Sequence, residues 1–446
     1  MNLTYWHDFG SNSALRNWSN TDNFTPILIA SPENLDELSF AIEEAVANNI
    51  QITLRGSGHS FRTTSGKNIL LLPEGNIVID EDRCTVSADA GTKLGDIIRA
   101  LDNKGLTLIN LGDIDKQTVM GALATATHGT GAGFGAFPTQ VTSLEIFTAG
   151  NQRITATPNN EHSELFHMSL VPGGVFAAIG RVTLKARKSY NLQETKQGFG
   201  IDEALSRLNH KALLDQYTLM CWPHSNLAAE RIWKEVGRTS DSWLKRKFNK
   251  YFNQYFMENF LLGRLAKVVE KFPSLAKGFS HVVAKGAARG SRIDNSFNIL
   301  THPRTTLSLY EEAEYELPLE NAEAAMRELT DLIIDKNIPS IWPLFLRVVK
   351  ADSFPMSPFN KSHSQTEVYV SISILLTIGE ISNQEYLADA TRILLNHGGR
   401  PHWGKISELD SDKIESLYPQ FSDYKRIISE YDEGNTFSSE FFDRLF

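Results

Sequence analysis

Apolar residues recur at Leu35, Leu38, Ile42, Ala45 and Val46, which places them on one face of a helix, and Ser31-Pro32 just before them suits a helix start. Ile50, Ile52 and Leu54 then alternate in period two, a strand that runs directly into Arg55-Gly56-Ser57-Gly58-His59-Ser60. Asn68 to Leu72, Ile77 to Asp80 and Thr85 to Asp89 read as further strands. Leu94, Ile97, Ile98 and Leu101 mark a helix closed by Gly105. Short strands and short helices alternate in this way through about residue 190, an α+β texture.

Beyond about residue 195 the pattern lengthens into amphipathic helices, with strands expected at Glu314 to Leu319 and Glu367 to Leu375. Residues 243 to 290 are helix-rich and basic, with lysines and arginines spread among Phe, Leu and Val. They read as a solvated helical face, the alternative being a surface that docks lipid or a partner. There is no internal repeat, and a chain of 446 residues suggests two or three folding units.

Composition narrows the function. With 41% hydrophobic and 22% charged residues the chain is an ordinary globular one, and a net charge of -9 argues against a nucleic-acid partner, whose phosphates demand Lys and Arg. Two distant cysteines, Cys84 and Cys221, lack metal-ligand spacing, so no zinc site or disulfide framework is expected. No segment approaches the roughly 18 apolar residues of a membrane span, so no membrane association is expected and the protein reads as cytoplasmic.

Two small-residue loops carry candidate chemistry. In Gly56-Ser57-Gly58-His59-Ser60, glycines after a strand let backbone N–H groups approach a diphosphate. The loop is neither the G-x-G-x-x-G dinucleotide fingerprint nor a Walker loop. The second pairs Asn110-Leu111-Gly112-Asp113-Ile114 with Gly121-Ala122-Leu123-Ala124-Thr125-Ala126-Thr127-His128-Gly129-Thr130-Gly131. Residues this small fill a core poorly, and a cofactor lying against the backbone would supply the missing volume.

These loops, with Pro172-Gly173-Gly174-Val175-Phe176-Ala177-Ala178-Ile179-Gly180, resemble the PCMH-type FAD-binding domain of the vanillyl-alcohol-oxidase family. Trp222-Pro223-His224, the strand Glu314 to Glu320, Arg400-Pro401-His402-Trp403-Gly404-Lys405 and Asp432 to Phe437 resemble its aldonolactone and alditol oxidase branch. The resemblance implies a two-domain α+β flavoprotein. Residues 1–190 would form the bipartite FAD-binding domain, 191–395 a substrate (cap) domain on an antiparallel sheet, and 396–446 a segment packing back on the FAD domain. It implies FAD attached covalently through His59. Arg55, Gly56, Ser57, Gly58, Ser60, Gly112, Asp113, Gly121, Thr125, Thr127, His128, Gly129, Thr130, Gly174, Ile179 and Lys405 would surround the cofactor.

The same resemblance makes Arg347 and Lys405 the catalytic candidates, cations that stabilise a developing alkoxide while a CH–OH hydride leaves. The branch commonly carries Glu-x-Arg on this strand, whereas Phe345 stands here where the glutamate would be. Phe345 would then form an apolar wall, with Arg347 and Ser371 completing the substrate site and Lys361, His363 and Ser373 as further polar candidates. Gly112, small where dehydrogenase relatives carry Ala, implies molecular oxygen as acceptor and hydrogen peroxide as product. The implied substrate is a sugar lactone, an alditol or a less polar hydroxylated intermediate. Two alternatives stay open: a dehydrogenase using another acceptor, and a flavin-binding relative without catalysis.

Overall fold

The computed structural model describes residues 3–10, 13–61, 66–214, 216–237, 239–249, 251–252, 256, 260–301, 309–362, 364, 366–378, 382–407 and 410–446. His363 lies outside the described residues.

The amphipathic helix spans Leu35–Ala47 and buries Leu35, Leu38, Ala41, Ile42 and Ala45. Its cap is Asn34, whose side chain accepts from the N–H groups of Asp36 and Glu37, so the helix starts beyond the expected Ser31-Pro32. Asp36 and Glu37 then add negative charge where the helix dipole favours it. Val46, expected on the apolar face, is exposed. This helix packs on a four-stranded sheet ordered His7–Asp8, Leu28–Ala30, Asn68–Leu71 and Thr53–Arg55, whose last three strands are parallel.

A six-stranded antiparallel sheet follows. Its centre is the long strand Ala177–Lys188, flanked by Val141–Thr148 on one side and Thr85–Asp89 on the other. The helix Leu94–Asp102 buries its Leu94, Ile97, Ile98 and Leu101 stripe against this sheet's core. Each such fully buried aliphatic side chain contributes about 1.5–3 kcal/mol.

The third sheet has eight antiparallel strands in the order Arg289–Asn295, Asn191–Gly200, Leu227–Val236, Gln216–Trp222, Leu344–Lys350, Val368–Leu376, Glu311–Pro318 and Arg400–Pro401. The helices Leu319–Asp335 and Ser382–Asn396 cover one of its faces, burying Ala313, Tyr315 and Leu317 with Leu329 and Leu394. Alternation then forces Glu312, Glu314 and Glu316 onto the opposite face. That opposite face meets the loops of the first half, where His128 Nε2 lies 3.1 Å from Glu314, and the loop is tied to the strand Leu344–Lys350 by Gly131 donating to the Val348 carbonyl at 2.6 Å and Thr130 Oγ1 accepting from Val348 N at 3.0 Å.

The chain end returns to the first half. Ile52 donates to the Thr436 carbonyl at 2.6 Å and Ser438 to the Ile52 carbonyl at 2.9 Å, so the segment joins the strand leading into the His59 loop. The final helices bury Ile414, Phe421, Tyr424, Ile427, Phe441 and Leu445 in the core of the six-stranded sheet. No described helix is long and apolar enough to cross a membrane.

Candidate active site

Between the two halves lies a cavity whose wall includes residues 53–61, the loops around Gly112 and Thr125 to His128, the strand carrying Glu312 and Glu314, the strand carrying Arg347, and the turn His402 to Lys405. A second cavity shares Leu54 to Ser57, Thr118, Gly121, Ala124, Gly173 and Gly174 with the first and extends to Pro32, Leu71, Leu72 and Lys93. Together they make an elongated groove, the shape an extended dinucleotide needs.

The His59 loop and the Lys405 turn are tied directly. Ser60 Oγ donates to the Gly404 carbonyl at 3.1 Å and Phe61 N donates to the same oxygen at 2.9 Å. Gly58 holds φ +74°, a conformation that lets the chain turn while the Arg16 carbonyl and the Arg55 guanidinium each come within 3.2 Å of where a side chain would begin. His59 lines the cavity with its ring 6.4 Å from Trp18. Its buried Nδ1 has no protein hydrogen-bond partner. Burial lowers its pKa, Asp115 opposing and Lys116 assisting, so the ring is neutral and its lone pair available.

At the other wall stands a charged cluster. Lys405 is bridged to Glu312 and lies 3.2 Å from Glu314. Burial would strip its proton, but these two carboxylates hold its pKa above the ordinary lysine value. Burial would likewise raise Glu314, yet Lys405 and His128 keep it well below the usual carboxylate range. His128 turns Nδ1 to the Gly129 carbonyl at 2.9 Å and Nε2 to Glu314 at 3.1 Å. These two contacts need two protons, one of them shared between the imidazole and the carboxylate. His402 accepts from Gly404 N at 3.0 Å and is pushed down to about 3 by burial, so it stays neutral. Ligand atoms of His128, Glu314 and His402 converge within 4.8 Å of one another, but the Lys405 ammonium already supplies the positive charge there. Glu316, fully buried beyond Glu314, is driven well above the carboxylate range by burial and by Glu314, and is therefore protonated.

Arg347 reaches the cavity from its strand and is anchored to Asp113 at 2.7 Å, with its guanidinium 4.7 Å from the Phe345 ring centroid. Phe345 therefore supports the arginine and packs on Met220 and Ala284 without lining the cavity. Ser371 also stands behind the wall, where its hydroxyl donates to Glu314. Arg55, Gly56, Ser57, Gly58, Ser60, Gly112, Asp113, Gly121, Thr125, Thr127, His128 and Gly174 do line it. Gly129, Thr130 and Ile179 do not. Gly129 is packed against the Leu111 carbonyl, Thr130 donates to the Tyr217 carbonyl, and Ile179 sits in the core of the six-stranded sheet.

Three charged or aromatic elements of the wall were not assigned to the site from sequence. They are the carboxylates Glu312 and Glu314, the neutral His402, and the aromatic wall of Trp18, Phe61 and Tyr310. The strand 312–316 carried a signal, since glutamates alternate with Ala313 and Tyr315, but period two alone reads as an exposed polar face.

Comparison with known proteins is decisive for family. The D-arabinono-1,4-lactone oxidase family matches residues 182–445, and an FAD binding domain matches residues 26–157. The chain belongs to the D-arabinono-1,4-lactone oxidase family. It is an FAD-dependent oxidoreductase acting on a CH–OH group. Among its relatives in this family, L-gulonolactone oxidase of Scyliorhinus torazame is 26% identical over 442 residues, covering 96% of this chain and 97% of that one. L-gulono-1,4-lactone dehydrogenase of Mycobacterium tuberculosis is 24% identical over 437 residues, covering 96% and 98%. In three dimensions, cholesterol oxidase from Brevibacterium sterolicum superposes with a TM-score of 0.82 at 15% identity, covering 100% and 98%, a likeness of fold. The cavity of this family member fits FAD: an elongated groove, a glycine loop, and a buried imidazole nitrogen without a protein partner.

Proposed function

We propose that the protein oxidises a secondary alcohol of a sugar lactone or of a less polar hydroxylated molecule, with FAD joined covalently through His59 and molecular oxygen as acceptor. The observation that carries the reading is the meeting, in one cavity, of the partnerless His59 Nδ1 and the Lys405–Glu314–His128 cluster. Bound FAD supplies the two-electron acceptor for the carbinol hydride. The chain's own residues manage charge and protons. Lys405 and Arg347 place positive charge beside the substrate hydroxyl, lowering the cost of the alkoxide. Glu314, an ionised carboxylate on the cavity wall, is the group placed to take the hydroxyl proton onto its own oxygen. Trp18, Phe61 and Tyr310 make the apolar wall that Phe345 was expected to make.

Oxygen as acceptor rests on Gly112, where a Cβ would come within 2.9 Å of Thr127 Cγ2 and 3.2 Å of the His128 carbonyl. An alanine there would press on the Thr127–His128 stretch of the cavity wall. We assign residues 1–190 to FAD binding, 191–395 to the substrate domain and 396–446 to a returning segment. Supporting this, three of the four sheets among the described residues fall before Ser189 and the eight-stranded one begins at Asn191, although its edge strand Arg400–Pro401 comes from the last segment.

The test is a panel of aldonolactones, alditols and hydroxylated terpenoids or sterols, scored by oxygen uptake and by flavin bleaching under nitrogen. Turnover of a hydroxylated donor with stoichiometric peroxide supports the reading. Bleaching without oxygen uptake would move the acceptor to a quinone or cytochrome, and no bleaching with any donor would overturn it.

A further inference from the structure

Phe248, Phe252, Phe256 and Phe260 recur every fourth residue, and their rings stack in a ladder with centroids 5.0, 5.8 and 5.8 Å apart. All four are open to solvent, between 37% and 60% exposed, and Trp243 beside them is 61% exposed. A soluble surface leaves single apolar residues exposed, not a contiguous aromatic row. Residues 243–290 also hold ten Lys and Arg against two Glu, in a chain whose net charge is -9. Cations sit on the rings themselves: Lys247 lies 4.8 Å from the Trp243 ring centroid and Arg264 5.0 Å from that of Phe260.

The inner side of the same segment is buried. Ala266, Val269 and Ala276 pack on Tyr310, Ile341 and Trp342, with Trp18 and Phe61 against the same cluster. Three of those aromatics, Trp18, Phe61 and Tyr310, line the active-site cavity. The patch is thus the outside of the cavity's aromatic wall.

We propose that this face docks the protein on the surface of an anionic lipid bilayer, with the phenylalanine ladder and Trp243 at the head-group boundary and the basic residues on lipid phosphates. Aromatic anchors with interleaved Lys and Arg are the chemistry of interfacial binding, and no described helix is suited to crossing the bilayer. A second copy of the chain fits less well, because an isologous contact would set one basic patch against another. Docking there brings the cavity beside the membrane, consistent with a substrate less polar than a free sugar acid.

The experiment is cosedimentation of the holoenzyme with vesicles of phosphatidylcholine alone and of phosphatidylcholine mixed with phosphatidylglycerol. Binding to the mixed vesicles that weakens as salt is raised is expected, about tenfold or more above phosphatidylcholine alone. Phe252→Glu with Phe256→Glu, and separately Lys247→Glu with Lys267→Glu, should each lower that binding about tenfold while flavin absorbance and Tm match wild type. Should a variant fail to fold, the salt and lipid dependence of the wild type decides the matter. Wild type that ignores both vesicles, well-folded variants that bind as before, or a ladder-dependent dimer in place of lipid binding would overturn the proposal.

Discussion

Phe345 and Glu314 are both register partners of Ser373, one from each neighbouring strand, so the three side chains share a face of the eight-stranded sheet. The carboxylate absent at position 345 is thus present two strands away, where it meets Lys405 and His128. Glu314→Gln keeps the shape and the Ser371 contact but cannot hold a proton. We expect flavin reduction under nitrogen to slow by about 10²-fold or more with substrate affinity changed only a few-fold. A loss confined to affinity would make Glu314 a binding group.

Lys405 balances two buried carboxylates. Lys405→Met leaves Glu312 and Glu314 facing each other and should cost about 3 kcal/mol or more of stability, alongside lost activity. Adding Glu312→Gln should restore much of the Tm without restoring turnover. Thermal unfolding and steady-state kinetics on the two variants check both halves.

Arg347 is held at one side by Asp113 and beneath by the Phe345 ring. A lysine offers neither the planar fork nor the stacking surface. Arg347→Lys should therefore lower kcat/KM by roughly 10²-fold with little change in Tm, and Asp113→Asn should lower it less.

At Gly112, alanine should slow reoxidation by oxygen by about tenfold or more while turnover with an artificial dye acceptor is retained. Equal losses with both acceptors would show that the Thr127 contact displaces the loop and that oxygen access is not the issue.

Asp352 accepts from Ser357 Oγ at 2.7 Å and Phe354 N at 3.1 Å, and burial pushes it up to about 7. The folded state therefore keeps a proton that the unfolded state loses at much lower pH, so stability falls as pH rises from about 4 to about 7 and levels off above. Asp352→Asn should flatten that slope, which Tm measured from about pH 5 to about pH 8 will register.

Much of the cofactor side was legible because its chemistry is local in sequence. His59 sits in a glycine loop directly after a strand, and Thr125 to His128 form one run, so adjacency along the chain already meant adjacency in space. Thr130 and Ile179 look equally suitable, but hydrogen bonding to Tyr217 and Val348 in one case and the strand register with Ile146 in the other use them for the scaffold. The substrate side was harder to read because it is assembled across the sheet. Glu312 and Glu314 reach Lys405 only through the pairing of Glu311–Pro318 with the edge strand Arg400–Pro401, a relation that spacing within either segment does not encode. Phe345 shares the sheet face of Glu314 but lies outside the cavity, packed against the cluster of Met220, Trp222, Ala229 and Ala284, a long-range contact invisible in the strand's own pattern.

Covalent attachment of the flavin to His59 is tested most directly by acid precipitation of the purified protein followed by mass mapping of the proteolysed pellet. The flavin should stay with the pellet on the peptide containing His59, and His59→Ala should release it. Flavin set free into the supernatant by acid, or found on a peptide without His59, would contradict the account.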